Sequence, residues 1–160
     1  MTRKVLSPLR MAIATLTAMI LVVAAQTPAQ AALPSGYWQE TFASLRGADY
    51  TTSYDREIRI WTSDDRLVGV GWFQSDPYGA TPGDAIRVCD QLADGWGLEV
   101  WLDTEYNTGW DRKASTRGYN SPYCSPWASG DIVENTLVQI KLCMVKGTEE
   151  YCTPAYTARA

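Results

Sequence analysis

The side chains that most often carry enzymatic chemistry are scarce in this sequence. The chain of 160 residues has no histidine, which removes an imidazole base, a Ser-His-Asp or Cys-His catalytic set and a His-ligated zinc site. None of its four cysteines belongs to a CxxC pair of the kind found in zinc, redox and haem motifs. No serine or threonine lies in a known nucleophile motif. We therefore expect no catalytic residue, no metal ion and no cofactor.

Carboxylates remain as candidates for catalysis, with Glu99 and Asp103 on one predicted strand. A retaining glycosidase needs two carboxyl groups about 5 to 5.5 Å apart, whereas residues four apart on a strand have Cα atoms about 13 Å apart. The aspartates of the chain do not follow the calcium-binding spacing of an EF-hand. A small carboxylate-dependent hydrolase therefore ranks last, and the chain is expected not to be an enzyme.

Aromatic residues are abundant, with seven Trp, nine Tyr and two Phe. Trp101 is predicted on the outward face of a strand, between Glu99 and Asp103. An indole ring can stack on the C–H face of a sugar while nearby carboxylates accept hydrogen bonds from its hydroxyl groups. The other interpretation is that this face packs beneath a loop. The candidate binding residues, for a glycan, a cell-wall polymer or a protein surface, are Trp61, Trp101, Trp110, Tyr123 and Trp127.

The cysteines predict two disulfides. Residues 146–149 (Lys-Gly-Thr-Glu) fit a two-residue hairpin with Gly at the first central position, as a type II′ turn prefers. This register places Cys143 opposite Cys152 in a non-hydrogen-bonded pair, within disulfide range. Elimination then pairs Cys89 with Cys124, in the loop 120–127. Such a pinned loop loses little entropy on binding, and it supports the alternative function of a secreted proteinaceous inhibitor or toxin-like effector.

Most of the remaining chain is typical of short strands. Val68, Val70 and Trp72 alternate, and they share a face with Ile58 and Ile60 only if the connection is odd in length or bulged. Residues 55–160 predict an all-β fold, a single antiparallel β-sandwich of about seven to eight short strands, Ig-like or jelly-roll-like, with a closed barrel as the alternative. The predicted strands lie near residues 57–62, 68–72, 85–91, 96–103, 113–117, 137–144 and 150–157.

The segment 32–54 is less regular. Its apolar residues are spaced loosely like one face of a helix, and Gly36 and Gly47 bracket them. We expect either a short helix or an irregular N-terminal arm here.

Residues 1–31 have the pattern of a cleaved signal peptide. Basic residues precede an apolar run at 11–25, and an Ala-Gln-Ala cleavage site ends at Ala31. An uncleaved anchor would need about 20 apolar residues. Cleavage leaves 129 residues with a net charge of −7 and without a basic patch, which disfavours nucleic acid and anionic membranes as partners. We expect a secreted, extracellular monomer.

Several short motifs resemble one group of proteins. They are residues 83–90 (GDAIRVCD), 93–97 (ADGWG) and 114–118 (ASTRG), followed by an apolar strand with Cys143, the Lys146-Gly147 turn and Cys152. This pattern resembles small, β-rich secreted proteins with two disulfides from Streptomyces and related actinobacteria. The resemblance covers residues 83–160. It implies an exported bacterial setting and no catalytic residue.

Overall fold

The computed structural model describes residues 32–46, 53–106 and 109–160, and these form an all-β fold without a helix. The predicted signal peptide, residues 1–31, lies outside the described residues. Most of the strands are short, as the alternating sequence predicts. They are β1 (Tyr37–Arg46), β2 (Ser53–Thr62), β3 (Leu67–Gln74), β4 (Ala85–Asp90), β5 (Gly97–Asp103), β6 (Arg112–Ser115), β7 (Tyr123–Cys124), β8 (Ala128–Ser129), β9 (Leu137–Lys146), β10 (Glu149–Cys152) and β11 (Tyr156–Arg159).

One antiparallel sheet curls so that its two halves face each other. The front half contains β1-β2-β3-β4, with β7 and β8 on the far edge of β4, and the back half contains β6-β5-β9, with β10 and β11 along β9. The halves join at one corner, where Arg159 of β11 pairs with Tyr54 of β2. The predicted all-β, antiparallel sandwich is thus confirmed.

Residues 37–46, in the segment expected to be a short helix or an irregular arm, form a strand. β1 pairs with β2 along ten residues, from Tyr37 opposite Thr62 to Arg46 opposite Ser53. Its alternate residues face opposite sides, with Tyr37 packed against the core and Trp38 exposed. A continuous ladder with β2 outweighs the weak helical spacing, because aromatic residues fit a half-buried strand well.

The core fills the space between the two halves. Its largest members are fully buried aliphatic and aromatic side chains from both inner faces, with Ile58, Ile60, Phe73, Ile86 and Val88 from the front and Leu98, Leu102, Ile140, Leu142 and Met144 from the back. A smaller cluster of Cys143, Val145 and Cys152 lies outside the back half, beneath Trp101. The sandwich therefore has one main core.

Two glycines of β3 set how closely the halves approach. Gly69 and Gly71 lie opposite Ile60 and Ile58, so these glycines occupy the inner face, and a register shift follows Ile60. A Cβ atom at Gly69 would overlap the carbonyl oxygen of Cys89 and the Leu98 side chain. Val70 and Trp72 therefore point outward. The bulge that would let them share a face with Ile58 and Ile60 is present, but Gly69 and Gly71 occupy the positions opposite those residues.

Both predicted disulfides are present. Cys143 faces Cys152 across the β9–β10 hairpin, and Cys89 faces Cys124 between β4 and β7. Only Gly147 in the turn has a positive φ, of 57°, as a type II′ turn requires. Two disulfides are typical of a protein that folds in an oxidising environment. Within the described ranges, no helix has the length and apolarity needed to cross a membrane.

We predict a graded effect of Gly→Ala substitutions according to the space at each site. Gly69→Ala should lower the free energy of unfolding by about 3 kcal/mol or more, because the new methyl group meets backbone. Gly71→Ala should cost about 1 kcal/mol, since its nearest neighbours, 3.0 and 3.2 Å away, are side-chain methyl groups of Leu142 and Val100.

Gly97→Ala is the matched control for this series. A Cβ there has no neighbour closer than 3.5 Å, so stability should change by less than about 0.5 kcal/mol. Urea denaturation measures all three variants. Equal destabilisation by Gly69→Ala and Gly97→Ala would contradict the close approach at Gly69.

Candidate functional site

The outer face of the front half carries Trp38, Trp61, Trp72 and Phe42, and we call it the tryptophan face. Strand register arranges this face in three rows that run across the strands. The first row is Trp38 and Trp61; the second is Glu40, Arg59, Val70 and Cys89; the third is Phe42, Glu57, Trp72 and Arg87.

The first row is a stacked indole pair. The rings of Trp38 and Trp61 lie 5.8 Å apart at an angle of 15°. Trp61 Nε1 donates to Glu40 Oε1 at 2.9 Å, and Trp38 Nε1 donates to the carbonyl of Thr62 at 3.0 Å. Both indoles are thus held in place, while Trp38 remains 40% exposed.

Glu57 and Arg59 link the first row to the third. Trp72 Nε1 donates to Glu57 Oε2 at 3.0 Å, and Arg59 forms ion pairs with Glu57 and Glu40. The Arg59 guanidinium also lies 4.7 Å from the ring centre of Phe42. Each charged group of this network has a partner of opposite charge, so the face offers polar groups without a strong net field.

A cavity of about 240 Å³ opens at the third row, and we call it the Trp72 pocket. Arg87 is fixed in it, because its Nε donates to the carbonyl of Ser125 at 3.1 Å and its guanidinium lies 5.7 Å from the Trp127 ring centre. The side chains of this pocket that argue for a ligand are two indoles and four polar groups: Trp72, Trp127, Asp55, Glu57, Gln74 and Arg87.

The predicted residues Trp101 and Trp110 lie on the opposite side of the molecule, where lysines cover them. Lys113 Nζ is 4.6 Å from the Trp101 ring centre, and Lys141 Nζ is 5.9 Å from Trp101 and 4.5 Å from Trp110. Burial lowers the pKa of Lys141. Trp101 Nε1 is buried without a hydrogen-bond partner among the described residues, which indicates a packed indole.

The two acids first considered for catalysis are held separately. Glu99, only 2% exposed, accepts a hydrogen bond from Ser115 Oγ at 3.0 Å and forms ion pairs with Arg117 and Lys113. Asp103 accepts hydrogen bonds from the backbone amides of Glu105 and Gly109. Glu99 thus pairs with two neighbouring cations, and Asp103 orders the turn that follows its strand.

The loop 118–127 is tied down at several points besides Cys124. Ser121 Oγ donates to Asp90, and the backbone amide of Ser125 donates to the carbonyl of Val88 at 2.9 Å. The predicted residue Tyr123 stacks on Tyr119 with ring centres 4.0 Å apart. The loop is therefore preorganised, as we expected from the predicted Cys89–Cys124 disulfide.

A cavity of about 480 Å³ lies at one end of the sandwich, and we call it the end pocket. It forms between the start of β5, the β9–β10 turn and the loop 118–121. Its side chains with a possible role in binding are Trp96, Arg117, Tyr119, Asn120 and Lys146. These residues come from three separate segments of the chain, at 96, 117–120 and 146, so no local pattern connected them.

The structure thus divides the predicted binding residues among three places. Trp61 and Trp127 lie at the tryptophan face, Trp101 and Trp110 at the lysine-covered face, and Tyr123 behind Tyr119 beside the end pocket. Trp38, Phe42 and Trp72 were missed: the first two because β1 resembled an arm, and Trp72 because its outward direction depends on the register of β3.

We predict that Asp90→Asn stabilises the protein at neutral pH. Asp90 is almost fully buried beneath Ser121, and burial raises the pKa of its carboxyl group. The folded chain therefore binds this proton more tightly than the unfolded chain, and the resulting stability is lost as pH rises through the folded-state pKa. Asn is neutral at every pH, and the Ser121 hydroxyl can reverse its direction to suit it.

Thermal denaturation at about pH 7 and about pH 3 measures this effect. The variant should unfold at a higher temperature than the wild-type protein at neutral pH and at nearly the same temperature in acid. A variant that is less stable at neutral pH would show that the carboxylate's hydrogen bonds outweigh its burial.

No family model, no curated protein and no solved structure matches the chain. The functional interpretation therefore depends on the geometry of the tryptophan face and of the two pockets.

Proposed function

We propose that the protein is a secreted, non-enzymatic binding protein whose tryptophan face holds an extracellular glycan, such as a cell-wall polysaccharide. The observation that carries this proposal is the stacked, partly exposed Trp38–Trp61 pair, with Phe42 and Trp72 on the same face and charged pairs between them. A sugar has an apolar C–H face and a rim of hydroxyl groups, and this surface offers both kinds of partner.

The spacing of the rows suits an extended chain. The first and third rows are four residues apart along β1 and β2, which corresponds to about 13 Å. Indoles at both ends of that span contact more than one sugar unit, while Glu40 and Arg59 in the middle row meet the hydroxyl groups between them. Because hydrogen bonds already hold the indoles, binding orders few side chains.

The Trp72 pocket adds a place for a group that projects from the chain. Arg87 donates and Glu57 accepts hydrogen bonds at its wall, and the rings of Trp72 and Trp127 border it. Its volume of about 240 Å³ suits one sugar substituent or ring rather than a longer segment.

The proposed secretion is supported by two independent features. The signal-like pattern of residues 1–31 predicts export. The two disulfides fit a protein that folds outside a reducing cytosol.

We predict that Trp38→Ala, Trp61→Ala and Phe42→Ala each weaken glycan binding about tenfold or more, because each removes a stacking surface. The measurement is depletion of the purified, oxidised protein by insoluble polysaccharides and by bacterial and fungal cell walls, with competition by soluble sugars. Near-ultraviolet circular dichroism checks that each variant is folded.

Tyr78→Ala is the matched control, since Tyr78 is 67% exposed but lies in the loop between β3 and β4, in none of the three rows and not in the lining of the Trp72 pocket. It should bind like the wild-type protein. Trp101→Ala tests the back half in the same assay. Binding that survives all three face substitutions, or that is lost only in Trp101→Ala, would rule out the tryptophan face.

A second candidate function uses the loop 118–127. Tyr119 is 60% exposed on a loop held by the Cys89–Cys124 disulfide and by Ser121, an arrangement that suits a secreted inhibitor or effector with a protein target. Inhibition of a secreted protease or glycosidase that disappears in Tyr119→Ala, while glycan binding persists, would favour this function. No inhibition across a panel of such enzymes would remove it.

A further inference from the structure

The end pocket differs from the tryptophan face in its charge. Arg117 and Lys146 are the only charged residues among the described residues that line it, whereas the chain as a whole has a net charge of −4. The pocket has a volume of about 480 Å³, within the range of small-molecule sites. It is therefore a cationic cavity in an acidic protein.

Two nearby aspartates lie behind the wall of the pocket. Asp94 accepts hydrogen bonds from the Tyr37 hydroxyl at 3.3 Å and from the backbone amide of Trp96 at 2.9 Å. Asp90 is buried and accepts hydrogen bonds from Ser121 and from the backbone amide of Leu92. Both carboxylates are thus engaged with the protein and do not line the cavity.

Arg117 is fixed at the pocket by two contacts. Its Nε donates to Glu99 Oε1 at 3.1 Å, and its Nη1 donates to the carbonyl of Gly147 at 2.7 Å. Glu99 also pairs with Lys113, at 3.5 Å, so one carboxylate faces two cations. The positive charge of Arg117 is therefore only partly compensated, and a preorganised guanidinium recognises carboxylate and phosphate groups well.

Lys146 also lines the pocket, beside the turn that precedes β5. Its ammonium group is 5.5 Å from the ring centre of Trp96 and would be 3.6 Å from a Cβ atom at Gly95. Trp96 packs in turn on Tyr151 in a T-shaped arrangement, with ring centres 5.6 Å apart. Glycine at position 95, with a φ of 82°, keeps this space open.

Aromatic walls accompany the two cations. Trp96 borders the cavity on one side, and Tyr119, supported by its stack on Tyr123, borders it on the other. A bare inorganic ion would use the cations and leave these rings unused. A ligand that carries an anionic group on a ring would use both.

We propose that the end pocket binds an acidic sugar unit, with its carboxylate or phosphate group between Arg117 and Lys146 and its ring against Tyr119. The sugar part of this ligand rests on the proposed glycan binding, whereas the anion site stands without it. The end pocket would then select acidic polymers, while the tryptophan face binds the polymer chain.

The test is calorimetric titration of the purified, oxidised protein with glucuronate, glucose 6-phosphate, glucose, acetate and inorganic phosphate. Glucuronate or glucose 6-phosphate should bind, and the tighter of the two identifies the anionic group. Glucose, acetate and inorganic phosphate should bind at least about tenfold more weakly. Added salt should weaken the binding of the acidic sugar.

Two variants that each remove one exposed positive charge locate the site. Lys146→Gln should weaken binding of the acidic sugar about tenfold or more, because it removes a charge that faces the ligand. Arg66→Gln removes an equal charge from the turn between β2 and β3, which does not line the pocket, and should change affinity less than twofold. Lys146 and Arg66 are both exposed, so both variants should fold, which circular dichroism verifies.

Three results would overturn the proposal: no acidic sugar binds at millimolar concentration, Arg66→Gln and Lys146→Gln weaken binding equally, or inorganic phosphate binds as tightly as the acidic sugars. The double variant Trp38→Ala/Trp61→Ala separates this site from the proposed function. It should lose polysaccharide binding and keep the calorimetric signal of the acidic sugar, so each of the two proposals can fail without the other.

Discussion

The close approach of the two sheet halves at Gly69 and Gly71 is the constraint on which the rest of the structure depends. These glycines leave two neighbouring inward positions of β3 without side chains, and Leu98, Val100 and Leu142 from the back half fill that space. Because side chains alternate along a strand, glycines on the inner face place Val70 and Trp72 outside. The tryptophan face is thus the outward consequence of how the core is packed.

The Cys89–Cys124 disulfide also determines where surface side chains lie, at the edge of the front half. It attaches the loop 118–127 to β4 in the second row of the tryptophan face. Residues on one side of Cys124, including Tyr119, line the end pocket, while Trp127 on the other side lines the Trp72 pocket. A single covalent link therefore positions a wall of each cavity.

The sequence predicts features that depend on residues close together in the chain, and it does not predict features that depend on distant residues. The Lys146–Glu149 hairpin, its disulfide and the alternating strands depend on neighbouring residues, and the structure confirms them. β1 could not be recognised, because its strand conformation depends on pairing with β2 rather than on its own pattern. The end pocket combines Trp96, Arg117 and Lys146, which only the folded chain brings together.

The two proposed surfaces differ in how their charges are compensated, and this difference assigns them different tasks. On the tryptophan face, Arg59 is paired with Glu40 and Glu57, so rings and hydrogen bonds would dominate the proposed recognition there. At the end pocket, Arg117 and Lys113 share one carboxylate, and Lys146 contacts an indole rather than an acid. Stacking depends little on salt, whereas attraction between exposed charges is screened by it. Under the two proposals, contact with a neutral chain would persist at ionic strengths that remove discrimination between acidic and neutral polymers, and holding a glycan would be separable from selecting it.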